Sequence, residues 1–77
     1  MSSQFNEVMI HLDESLDDEA MLALEDGIRH DKGVVSVGHR NHQNHLMVVV
    51  YDTEVMHGAN LLHHFQERGL HAQLVGM

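Results

Sequence analysis

Cysteine, proline and tryptophan are all missing from these 77 residues. Without cysteine there is no disulfide, no thiolate ligand for a soft metal and no thiol nucleophile. Basic side chains are scarce as well. Four Lys and Arg stand against twelve Asp and Glu, a net charge of −8 at pH 7. That balance argues against nucleic acid as a partner and favours a basic protein surface. No apolar run approaches the roughly 20 residues that span a bilayer. The longest, LMVVVY, covers Leu46–Tyr51, so no membrane association is expected. The first residues, MSSQFNE, show no basic stretch followed by an apolar one. No signal peptide is read there, and a cytoplasmic location is expected. The length suits one domain, 1–77, with one core.

Histidine, by contrast, is abundant. Nine imidazoles would carry the net charge from −8 to +1 if all were protonated. An unperturbed imidazole titrates near pH 6.5 and also ligates metals, so a pH-sensing and a metal-binding role are both chemically open. Three histidines crowd the segment HRNHQNH, at His39, His42 and His45. Their meaning depends on the element that carries them.

Hydrophobic periodicity places the elements. In FNEVMIHL, Val8, Ile10 and Leu12 alternate with Glu7, Met9 and His11, the period-two pattern of a strand. DESLDDEA follows, where Asp13, Ser15 and Asp17 are each able to cap a helix whose positive end attracts the neighbouring acids. Met21, Leu24 and Ile28 recur at helical spacing, and Gly33 stops that helix. VVSVGHR and HLMVVVY read as a hairpin joined through RNHQN. TEVMHGANLLHHFQER reads as a second helix with Leu61, Leu62 and Phe65 as its stripe, and LHAQLVG as a final strand. The order βαββαβ, with right-handed crossovers, predicts an α+β ferredoxin-like sandwich: a four-stranded antiparallel sheet with two helices on one face.

Three pieces of this pattern resemble the heavy-metal-associated domain of copper chaperones and metal-pumping ATPases. They are Gly33-Val34-x-x-Val37, Tyr51-Asp52 and Gly69-Leu70-x-Ala72, and the resemblance runs from about Val8 to Val75. It implies a carrier or sensor of metal ions. The family's Met-x-Cys-x-x-Cys loop would fall on Ser15, Asp17 and Ala20 here. The thiolate pair that holds Cu(I) is therefore replaced, and monovalent copper is excluded by that chemistry.

The same topology puts the end of the first strand, the hairpin turn and the entry to the last strand at one end of the domain. His11, His39, His42, His45, His63, His64 and His71 are expected towards that end, with His30 and His57 at the other. Imidazole and carboxylate together suit Zn²⁺, Ni²⁺, Co²⁺ or Cu²⁺. The candidate ligands are His39, His42, His45, His11 and His71, with Asp13, Glu14 and Asp17 as acidic partners. A two-residue turn at Gln43-Asn44 would set His42 against His45, with Cβ atoms ~5 Å apart. A four-residue loop would not. The alternatives are a wet histidine-rich turn without a ligand, an acidic segment that only caps a helix, and a His64 packed at the core edge. A domain without metal that serves protein interaction or dimerisation remains open, as does a pH-responsive docking domain. No nucleophile elbow or phosphate loop is present, so an enzyme is not expected.

One further expectation concerns assembly. Leu46-Met47-Val48-Val49-Val50 is apolar on both faces of its strand, as doubly covered strands are. The face left open by the helices would carry one of those rows, with Met9 and either Val34 or Val35. A homodimer through that face is expected, with His11 and His71 beside each other on it.

Overall fold

The computed structural model describes residues 4–39 and 45–76. Six elements follow in the expected order: β1 Phe5–Leu12, α1 Asp18–Arg29, β2 Val34–His39, β3 Leu46–Asp52, α2 Gly58–Gln66 and β4 Ala72–Gly76. The four strands form one antiparallel sheet in the order β2-β3-β1-β4. This is the ferredoxin-like arrangement, a sheet with two helices packed on one face.

The alternation in β1 sets that face. Val8, Ile10 and Leu12 are buried, and their neighbours across β3, Val49 and Met47, are buried with them. Met21, Leu24 and Ile28 from α1 and Leu61 and Phe65 from α2 close the core from above. Phe65, Leu61, Ile10 and Met47 are fully enclosed. Truncating such a side chain as Phe65 to alanine costs roughly 3–5 kcal/mol through lost contact and the cavity left behind.

Of the three capping candidates, Asp17 caps α1. Its backbone is extended (φ −74°, ψ 171°) and its Oδ1 accepts the amide N–H of Ala20 at 2.7 Å. Asp18 and Glu19 fill the first turn, where the helix dipole favours acids. The exit runs through Gly33, at φ +98°, a conformation that side-chain-bearing residues rarely adopt. A Cβ there would also lie 3.0 Å from Val55 Cγ1.

The second helix is shorter than its sequence pattern suggests. Asp52 Oδ1 accepts the amide of Glu54 at 2.9 Å, which folds Thr53–Val55 into a turn. The helix starts at Gly58, with His57 N–H donating to Asn60 Oδ1 at 3.0 Å. The glycine that looked internal is thus a first helical residue, and it lets Leu74 and Tyr51 approach closely.

The other face of the sheet carries Glu7, Met9 and His11 from β1 and Leu46, Val48 and Val50 from β3. Each edge strand bulges, β2 between Val34 and Ser36 and β4 opposite Met9 and Ile10. The first bulge settles which valine turns outward. Val34 packs against the core, and Val35 is left 53% exposed.

Candidate metal centre

His11 ends the open-face row of β1, and His45 immediately precedes β3. The Leu12 amide donates to the His45 carbonyl at 2.7 Å, and His11 lies opposite Leu46 in the ladder. This register sets the two imidazoles edge to face, with ring centroids 5.4 Å apart and planes at 78°. Asp13 Oδ1 lies 3.9 Å from His11 Nδ1. The rings meet at the loop end of the sheet, with two fifths of the His11 side chain and half of the Asp13 side chain open to solvent. Two imidazole rings and a carboxylate thus lie near one another in this corner.

His39 is placed elsewhere. It pairs with buried Met47 in the ladder, so it faces the helices, and its Nδ1 is hydrogen-bonded to Glu25 of α1. Glu25 sits one helical turn after Met21 and is 6% exposed. The His39 imidazole satisfies this buried carboxylate and does not join His45. Helical spacing from Met21 already puts Glu25 on the apolar face, and that was its signal in the sequence. Its partner, 14 residues away, had none.

His71 was expected beside His11, but the residue opposite His11 is Gln73. His71 is clasped to the first loop. Its backbone N–H donates to Glu14 Oε1 at 3.1 Å, its Nδ1 lies 2.6 Å from Glu14 Oε2, and its carbonyl accepts the Asp13 amide at 2.9 Å. The hydrogen bond His71 donates to Glu14 and the negative charge of that carboxylate raise the pKa of His71 above the usual imidazole value, and the same bond lowers that of Glu14.

Asp17 is engaged as the α1 cap, so its carboxylate is turned to a backbone amide. The positions where the resembling family carries its two cysteines, Asp17 and Ala20, are here joined by that capping bond. His42, and with it the pairing of His42 with His45, lies outside the described residues. His63 and His64 point to different partners, Glu67 at 3.1 Å and Asp31 at 3.2 Å. His64 thereby reaches the far end of α1, away from the first loop. His30 lies on Asp26. Among the described residues no three His, Asp or Glu side chains are placed so that together they could hold a metal ion. The His11–His45 corner supplies two rings and a nearby acid.

No family profile and no curated protein matches the chain. Solved structures do match in shape. Oxidized MerP from Ralstonia metallidurans superposes with a TM-score of 0.80 at 14% identity, covering 92% of this chain and 97% of its own. A putative copper-ion-binding protein from Bacillus anthracis gives 0.80 at 15% identity, with 94% and 100% covered. The yeast copper transporter domain CCC2A, solved in apo and Cu(I)-loaded states, gives 0.73 at 17% identity, with 90% and 93% covered. The chain shares the fold of these domains across nearly its whole length.

Proposed function

We propose that this protein is a small metal-binding domain, a carrier or sensor, that holds one divalent borderline ion at the His11–His45 corner. The observation that carries the reading is the edge-to-face contact of the two rings beside Asp13. The fold supports it, because similar domains are named for copper binding or copper transport. The donor set separates this protein from Cu(I) handling, since no cysteine is present to supply thiolate. Zn²⁺, Ni²⁺, Co²⁺ and Cu²⁺ fit imidazole and carboxylate instead. Asp13 serves as a ligand or as the carboxylate that orients the His11 ring, as acids behind metal-bound histidines do. His42 is the sequence candidate for a third imidazole. The capped Asp17 and the Glu25-bound His39 take no part.

Calorimetric titration of untagged protein with Zn²⁺, Ni²⁺ and Cu²⁺ tests the proposal. A site tighter than ~10 μM is expected, about 7 kcal/mol of binding free energy. Replacing His11 and His45 together by alanine weakens it at least tenfold, and His42→Ala weakens it if that ring is the third ligand. His71→Ala leaves affinity within a factor of about two. No heat with any of the three ions overturns the reading and leaves an interaction domain without metal as its successor.

A further inference from the structure

We propose that the open face of the sheet packs against the same face of a second copy, about a two-fold axis that crosses β1 at Met9. Nothing in this requires metal. The central strands present Glu7, Met9 and His11 beside Val50, Val48 and Leu46. Between Phe5 and His11 and between Leu46 and Val50 the one carboxylate is Glu7, and there is no Lys or Arg. The acids that make the chain −8 include Asp13, Glu14, Asp17, Asp18 and Glu19 of the first loop and α1.

Glu7 and His11 stand symmetrically about Met9, two residues to either side, on the same face of the strand. A two-fold axis lying in the plane of the interface, across β1 at Met9, reverses strand direction in the second copy. Glu7 then lies over His11 of the other copy, and His11 over its Glu7. An imidazole N–H donates to a carboxylate oxygen, so each such contact is a hydrogen bond. The same operation sets Met9 on Met9, Val48 on Val48 and Val50 on Leu46. The hydrogen-bonding pair and the apolar rows are both self-complementary, as a two-fold contact requires. Pairing through the edges is disfavoured, because both edge strands are broken by bulges.

The face is small. Four strands at about 4.8 Å and six residues at about 3.3 Å give a projected footprint of roughly 400 Å². That is below the ~800 Å² per partner of a standard stable interface, so the dimer belongs to the weak class, with an expected Kd of about 10–100 μM.

Sedimentation equilibrium in EDTA, over roughly 10–300 μM protein, reads this directly. Wild type is expected to show a monomer–dimer equilibrium, and Met9→Lys to weaken it at least tenfold. Glu7→His and His11→Glu each place like groups against each other and weaken it by a similar factor. The double swap of Glu7→His with His11→Glu restores the dimer to within about threefold of wild type. All of these positions lie on the solvent side, and far-UV circular dichroism verifies each variant's fold. A wild type monomeric at about 300 μM overturns the proposal and leaves the face to a different partner. A dimer indifferent to Met9→Lys, or a double swap no better than the singles, overturns the two-fold arrangement.

Discussion

Replacing His39 by alanine is expected to strand a carboxylate inside the protein. Glu25 and His39 keep only 8% and 17% of their side chains exposed, and each is the other's hydrogen-bond partner. Around them lie Met47, fully buried, and Leu24 and Ile28, also buried. Removing the imidazole leaves the buried carboxyl its desolvation penalty without a partner, with the ~3–5 kcal/mol of a broken buried ion pair as the upper bound. The slightly open side of His39 admits some water, which reduces the expected loss to about 2–4 kcal/mol. A domain of this length has about 4–11 kcal/mol of total stability, so the variant loses a large share. Urea unfolding followed by circular dichroism measures it, and the melting temperature drops by roughly 10–25 °C. The double variant His39→Ala with Glu25→Leu removes the stranded charge and is expected to recover more than half of the loss. A cost below about 0.5 kcal/mol for His39→Ala, or a double variant no more stable than the single, would refute the reasoning.

Further outcomes follow from other contacts. Asp17→Ala removes the α1 cap and costs about 0.5–2 kcal/mol in the same unfolding assay, with Asp17→Ser or Asn largely neutral. Gly33→Ala combines a positive φ with a Cβ pressed against Val55, so where an unstrained Gly→Ala change stabilises by about 0.4–1 kcal/mol, this one is expected to destabilise by more than that. The His71–Glu14 clasp has a definite pH window. His71 is raised from 6.5, so its contribution is complete below pH 6.5 and is lost as pH rises through the folded value. Glu14 is lowered from 4.5, so its contribution is present above pH 4.5 and is lost as pH falls through its folded value. The clasp is therefore strongest between about pH 4.5 and 6.5. Proton NMR titration of His71 is expected to give a midpoint above 6.5 that falls back in Glu14→Gln. Metal affinity, where proton and ion compete for the same nitrogens, declines steeply from about pH 7 to pH 5.5. Affinity flat across that window would move the site to the acidic loop.

What the sequence showed and what it hid divide along physical lines. The strand faces of β1 and β3 were legible because burial alternates with period two, and Val8, Ile10 and Leu12 obey it. The order of elements was legible because Asp17, Gly33 and Gly69 punctuate it with local chemistry. The start of α2 was not, because the turn at Thr53–Val55 rests on hydrogen bonds that Asp52 accepts, from the Glu54 amide at Oδ1 and from the Val55 and Met56 amides at its carbonyl. Side-chain partners across the chain were the least visible. The place beside His11 expected for His71 is taken by Gln73, two residues further along, and nothing in the local pattern fixes that offset. His39 and His45 look alike in HRNHQNH, yet one faces the helices and the other meets His11. Which side each takes depends on the pairing of β2 with β3 and on the buried acid of α1, both properties of the assembled sheet.

The proposed divalent site lies between His11 and His45. Long-range ¹H–¹⁵N spectra of the nine imidazoles, recorded as Zn²⁺ is added to metal-free protein, address it most directly because each ring reports for itself. His11 and His45 are expected to shift together and saturate at one equivalent, with His39 and His71 holding their positions. Rings that stay in place, or a response led by His39 or His71 while His11 and His45 are silent, would contradict it.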